Sequence, residues 1–243
     1  MQDPARPPRH DLSLEAVILD VDGTLVDSER DGHRVAFNIA FEEFGLPWRW
    51  DVEEYGRLLA VTGGQTRLHA YLESQGVAEE QRADLVPRLH RRKTEVFLEL
   101  VAAGKVEARP GVREFLDEVS AAGLRLAVAT TGSLAWVEPL LERHFGRDRF
   151  EVVVGGDDVK ATKPDPAAYL IALERLGLEA RDTVAVEDSV PGLGAARAAG
   201  VPCVVVVNDY TRGQDFSGAA LVVDGFADLD VATLRRLTEP PAG

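Results

Sequence analysis

Residues 16–29, Ala16-Val17-Ile18-Leu19-Asp20-Val21-Asp22-Gly23-Thr24-Leu25-Val26-Asp27-Ser28-Glu29, constrain this chain more than any other stretch. The apolar run Ala16–Leu19 has the length and β-branching of a buried strand, and it stops on a carboxylate. Residues two apart in extended chain point to the same side, so Asp20 and Asp22 face one space beyond the strand's carboxyl end. Open α/β sheets bind their ligands there. Gly23 permits a sharp turn, having no Cβ to block it. Two acids at this spacing suit metal-assisted phosphoryl transfer, one attacking phosphorus and the other moving a proton. In isolation the same residues read as a strand end followed by an Asp-Gly turn.

The rest of the chain supplies the context. Apolar spacing predicts a helix over 28–44 with Ser28 as its N-cap, a short helix over 52–60, a break at Thr62-Gly63-Gly64, and helices over 66–75 and 79–103, the last with Pro87 set to kink or break it. No strand pattern occurs between residues 28 and 105. Beyond Arg109-Pro110-Gly111, helices and strands alternate. Strands are expected at 124–130, 150–154, 183–186, 203–207 and 220–223, with helices at 112–122, around Trp136 to Leu141, at 166–176 and at 193–199, and a surface tail last. Such alternation gives a Rossmann-like α/β fold, a parallel sheet covered by helices on both faces. The expected organisation is a mobile N-terminal tail over 1–13, an α/β core over 14–27 and 104–243, and an inserted all-helical cap over 28–103.

Four of the expected strand ends carry groups suited to phosphate chemistry: Asp20 with Asp22, Thr130 with Thr131, Lys163, and Glu187 with Asp188. A parallel sheet brings these ends to one edge. Each has a plainer reading alone: Thr130 as a strand end, Lys163 or Lys160 as a loop lysine, Glu187-Asp188-Ser189 as a helix cap. Gly192-Leu193-Gly194 hints at a dinucleotide loop, but the third glycine of that pattern falls on Arg197 and acids occupy the turn.

Taken in order, Asp-Val-Asp-Gly-Thr-Leu-Val, Thr130, Lys163 and Glu187-Asp188 resemble the four motifs of the haloacid-dehalogenase (HAD) phosphohydrolases, over residues 15 to 225. The resemblance implies that Asp20 is the nucleophile, forming an aspartyl-phosphate, and that Asp22 protonates the leaving oxygen and then activates water. It implies that Thr130 and Lys163 hold phosphate oxygens, with Thr131 and Gly132 contributing backbone N–H groups. It further implies a Mg²⁺ site of Asp20, the backbone carbonyl of Asp22, Asp188 and Glu187, an oxygen-only set of the kind this ion prefers.

The helical insert is placed to act as a lid hinged near 26–28 and 103–109. Its candidate substrate contacts are Glu29, His33, Thr62, Gly63, Gly64, Arg67, His90, Arg91 and Lys93; the run His90-Arg91-Arg92-Lys93 reads equally as a solvated face. Ser28-Glu29-Arg30-Asp31-Gly32-His33-Arg34, Trp48-Arg49-Trp50-Asp51, Thr62-Gly63-Gly64 and Lys93-Thr94-Glu95 resemble the CbbY-type phosphatases. That family removes the 1-phosphate of xylulose 1,5-bisphosphate, an inhibitor of Rubisco in the Calvin cycle. Two positions depart from its pattern: Gln65 stands where lysine is usual, and Gly132 where a third threonine is usual. A β-phosphoglucomutase-like mutase and a phosphatase of another small phosphate such as phosphoglycolate share the same core pattern.

Totals exclude several alternatives. A formal net charge of −14 argues against nucleic acid or an anionic membrane as the partner, so an anionic substrate needs local cations and a metal. The single cysteine, Cys203, lies in an apolar run, excludes an internal disulfide and reads as a small buried hydrophobe. No apolar stretch approaches the ~20 residues of a membrane span. The polar, proline-rich start does not read as a signal peptide. A cytoplasmic monomer acting on a small sugar phosphate is the expectation.

Overall fold

The structure, a computed structural model, describes residues 14–61 and 63–238; the expected tail over 1–13 and the candidate contact Thr62 lie outside the described residues. Among the described residues six strands form one parallel sheet in the order β3-β2-β1-β4-β5-β6. They are β1 (Ala16–Leu19), β2 (Arg125–Ala129), β3 (Val152–Val154), β4 (Thr183–Glu187), β5 (Cys203–Val206) and β6 (Leu221–Val223). β1 to β5 are almost entirely apolar and buried, as strands covered on both faces must be. The helices beside them are α5 (Val112–Ala121), α7 (Ala167–Leu176), α8 (Val190–Ala198) and α9 (Val231–Thr238).

Alternation along the strands sorts the core. Ala16, Ile18, Ala127, Ala129, Ala185, Cys203 and Val205 share one apolar cluster with Tyr169, Ala172 and Leu173 of α7 and Leu193 and Ala196 of α8. α5 packs on β2 and α9 on β4, with Phe115 of α5 and Phe226 in ring contact. The sheet register sets the chemistry: Leu19 pairs with Val128 on one side and Val186 on the other. Asp20 is therefore level with Ala129 and Glu187.

By contact the chain divides into two compact units, one of residues up to Thr24, Pro110–Leu134 and from Asp148 on, the other of Leu25–Arg109 and Ala135–Arg147. The second is helical: α1 (Arg34–Glu43), α2 (Val52–Leu58), α3 (Gly64–Ser74), α4 (Glu79–Ala102) and most of α6 (Leu134–Phe145). Its core is aromatic, with Phe37, Phe41, Tyr55 and Tyr71 each in ring contact with Trp50. Buried Asn38 exchanges two hydrogen bonds of 2.8 Å with the main chain of Trp50, which fixes the non-helical segment between α1 and α2. The two chain segments entering and leaving this unit pair antiparallel at Val26 and Ala108.

Three local expectations are corrected. A π-helical turn over Ser28–His33 precedes α1, and Asp27, not Ser28, occupies the N-cap. α4 runs through Pro87 without a break: the proline forfeits one main-chain donor in a helix of 24 residues, while Val86 and Leu89 on either side of it are buried and hold the helix in place. The expected surface tail contains α9, whose Val231 and Leu234 are buried and whose first turn is capped by Asp230 accepting from the Thr233 N–H. Leu234 is wholly buried, so Leu234→Ala should cost about 2–5 kcal/mol in chemical denaturation. A change below 1 kcal/mol would mean, on the same scale, that α9 contributes little to the core.

Candidate active site

The site in the α/β unit is built from strand ends. Asp20 follows β1, Glu187 ends β4, Asp188 comes next, and Lys163 reaches in from the loop before α7. Lys163 Nζ lies 2.6 Å from Asp20 Oδ1 and 2.5 Å from Glu187 Oε1. Its side chain is 7% exposed and that of Glu187 1%, so the bridge is desolvated. Burial pushes the Asp20 carboxyl up to about 7 against the pull of Lys163, with Glu187 and Asp22 adding to the rise. Burial also pushes Asp188 well above the carboxylate range, reinforced by Asp20 and Glu187. Burial draws the Lys163 ammonium down, but the charges of Asp20 and Glu187 outweigh this, and the net direction is up.

Carboxylate oxygens of Asp20, Glu187 and Asp188 lie within 4.8 Å of one another. Asp22 is half-buried and its carboxylate stands outside that trio. Thr130 is fully buried, and its Oγ1 accepts from the Gly132 N–H at 3.1 Å. In this conformation that N–H serves the loop itself. Thr131 is exposed at the loop tip. The loop is braced from β3: Gly156 N donates to Gly132 O, and Asp157 accepts from Ser133 Oγ and Leu134 N. Lys160 is exposed.

A family model described as haloacid dehalogenase-like hydrolase matches residues 14–200, the span that carries all four strand-end groups. The chain belongs to the haloacid dehalogenase-like hydrolases. It is 43% identical over 236 residues to CbbY of Cereibacter sphaeroides, covering 94% of this chain and 100% of that protein. It is 33% identical over 223 residues to a phosphoglycolate phosphatase of Yersinia pseudotuberculosis, covering 89% and 92%. The crystal structure of a CbbY mutant from Rhodobacter sphaeroides in complex with xylulose 1,5-bisphosphate superposes with a TM-score of 0.76 at 43% identity, covering 91% of this chain and 99% of that one. This hydrolase is a phosphoric monoester hydrolase.

The carboxylate trio of this hydrolase fits a divalent cation. With all three acids ionised, one ammonium leaves two negative charges in a desolvated space, the burden that raises Asp20 and Asp188 and that an ion of charge two would balance. Glu187 Oε2 is buried and accepts no hydrogen bond among the described residues. Donors that are all carboxylate oxygen suit hard cations such as Mg²⁺.

The helical unit gathers the other predicted contacts in two groups. Lys93, 7% exposed, sets Nζ 2.8 Å from His33 Nδ1 and over the rings of Phe37 and Phe97. His90 faces Gly64 nearby, its pKa lowered by burial and then by the charges of Lys93 and His33. Buried Arg67 donates to the Leu58 carbonyl and to Tyr55 Oη, and that hydroxyl donates to Glu29 Oε2 at 2.5 Å. Gly63 and Arg91 are exposed, and so is Gln65, the position where lysine is usual.

Sequence reading missed two residues. Tyr169 of α7 is fully buried and donates to Glu187 Oε1 at 2.6 Å. It follows Lys163 by six residues, and its phenol on the otherwise apolar buried face of α7 is the available signal. Asn208, just beyond β5, donates to Asp188 Oδ2; it is the polar residue at a fifth strand end. The glycines after β4 also acquire a role: a Cβ at Gly192 would collide with the Glu187 carboxylate. Ala in a helix interior ordinarily gains about 0.5–1 kcal/mol over Gly. Gly192→Ala should instead lower the melting temperature, by an overpacking cost of about 1–3 kcal/mol, and depress kcat. A stabilised, fully active variant would contradict the tight seating of Glu187.

Proposed function

We propose that this enzyme is a Mg²⁺-dependent sugar-phosphate phosphatase that hydrolyses the 1-phosphate of xylulose 1,5-bisphosphate, removing an inhibitor of Rubisco. The carrying observation is the likeness, over nearly the whole chain, to a CbbY structure holding that bisphosphate. Two residue groups support it. The α/β unit holds the strand-end carboxylates with Lys163, and the helical unit holds buried cations, Lys93 and Arg67, of the kind a second phosphate requires.

In this reading Asp20 attacks phosphorus. Its Oδ1 is held by Lys163, while Oδ2 accepts no hydrogen bond among the described residues. As the Asp20 O–P bond forms, the bond from phosphorus to the sugar oxygen breaks, and Asp22 gives its proton to that oxygen. Asp22 then takes a proton from water, whose oxygen bonds to phosphorus and releases Asp20 and inorganic phosphate. Lys163 and the 130–132 loop hold the phosphoryl oxygens. Asp20, Asp188 and the main-chain carbonyl of Asp22, with Glu187 beside them, would hold Mg²⁺, which would supply charge neutralisation for the carboxylates and the phosphate together.

Phosphate release should be measured from xylulose 1,5-bisphosphate beside phosphoglycolate and β-glucose 1-phosphate, with and without chelator. Selective turnover of the bisphosphate is expected, lost with chelator and in Asp20→Asn. Asp22→Ala should lose about 10²–10⁴-fold in kcat. Lys93→Ala should raise KM about tenfold or more, the cost of one charge-assisted hydrogen bond, with kcat less affected. Turnover of phosphoglycolate alone would overturn the substrate. Isomerisation of the glucose phosphate without phosphate release would replace the hydrolase by a mutase.

A further inference from the structure

Asn208 holds together two segments that are far apart in the chain. Its Nδ2 donates to Asp188 Oδ2 at 2.7 Å and to the Gly23 carbonyl at 3.2 Å. Its Oδ1 accepts from Tyr210 N at 2.9 Å, from Thr211 N at 3.1 Å and from Thr211 Oγ1 at 3.3 Å. The amide can face only one way: main-chain N–H groups are obligatory donors, and a carbonyl and a carboxylate are acceptors. A flipped amide would set two N–H groups against its own N–H₂ and its oxygen against two oxygens.

The seat is tight. Gly23 has φ +80°, and a Cβ there would run into Asp188 Oδ2 and come within 3.0 Å of Asn208 Nδ2. The turn over 208–211 is itself locked, because Asn208 N donates to Thr211 Oγ1 at 3.0 Å. A rigid turn after β5 thus presents two fixed donors. One fixes the rotation of the Asp188 carboxylate within the trio with Asp20 and Glu187; the other fixes the Gly23–Thr24 peptide, one residue beyond the Asp22 carbonyl.

We infer that Asn208 is a positioning residue that presets Asp188, together with the Asp22–Gly23 segment, for divalent-metal binding. This rests on the metal-dependent reading proposed above. Outer partners that orient a ligating carboxylate typically contribute 10–100-fold to metal affinity. Asn208 touches neither the attacking oxygen nor the transferred group, so its loss should appear in metal affinity and leave the sugar phosphate's KM unmoved.

The test is calorimetric titration with Mg²⁺, without substrate, of the wild type, Asn208→Ala and Thr211→Val, each also melted metal-free. Asn208→Ala should bind Mg²⁺ about 10–100-fold more weakly, with kcat largely recovered at saturating Mg²⁺. Thr211→Val loosens the turn but keeps both N–H bonds to Asn208 Oδ1, so it should melt earlier while its Mg²⁺ affinity stays close to wild type. Asn208→Ala binding Mg²⁺ like the wild type overturns the inference, as does an equal loss in Thr211→Val, which would make the role one of turn stability alone. If Asn208→Ala does not fold, Asn208→Ser, which retains one hydroxyl donor, is judged by the same affinity. A wild type that binds no Mg²⁺ overturns the metal reading itself, an outcome distinct from failure of Asn208 alone.

Discussion

A single lysine buried between two acids governs this structure. Lys163 sits within 2.6 Å of Asp20 and 2.5 Å of Glu187, with all three side chains withdrawn from water. Breaking a buried bridge of this kind typically costs about 3–5 kcal/mol, because the partner is left charged and unpaired. Here two partners would be left, with Asp188 beside them. The interaction therefore has structural and chemical consequences at once: it keeps Asp20 in place and commits one of its oxygens, and it leaves the trio short of positive charge. A site charged in this way calls for a further cation, and a divalent metal would answer that need.

Backbone geometry makes the cluster possible. Residues 20, 163 and 187 are far apart in the chain, and no local signal joins them. Parallel pairing of β1 with β4 sets Asp20 level with Glu187, and Asp20 N donates to Val186 O at 3.0 Å. A one-residue slip would turn Glu187 to the opposite face of the sheet. The apolar face packed by α7 and α8 fixes that register. Tyr169 joins the two tasks, packing in the core while its hydroxyl bonds Glu187.

Much of this was legible in the sequence, for identifiable reasons. β1 and β5 are short, wholly apolar runs rich in β-branched residues, so their limits emerged almost to the residue. The acid pair, the hydroxyl and the lysine each follow such a run, and a parallel sheet must bring those ends together. Less was legible where tertiary contact decides. The π-helical turn at Ser28–His33 has no local signature, and α4 continues past Pro87 through packing that periodicity does not report. α9 escaped notice because its buried face rests on three residues, of which only Val231 and Leu234 are apolar and the third is Thr238. Asn208 escaped because asparagine after a strand reads as turn chemistry. It is turn chemistry through its oxygen; only three dimensions reveal that its nitrogen serves Asp188. The paired glycines at 192 and 194 were rightly set aside as a dinucleotide loop, yet the reason for Gly192, room for the Glu187 carboxylate, is visible only in the packing.

The central claim is that Asp20 carries the phosphoryl group between sugar and water. Its most direct test is an acid-quenched single turnover with xylulose 1,5-bisphosphate radiolabelled in the 1-phosphate, followed by peptide mapping. The account predicts label that appears and decays on the peptide containing Asp20, and no labelled protein with Asp20→Asn. Full turnover with no protein-bound label at any quench time, together with an active Asp20→Asn variant, would contradict it.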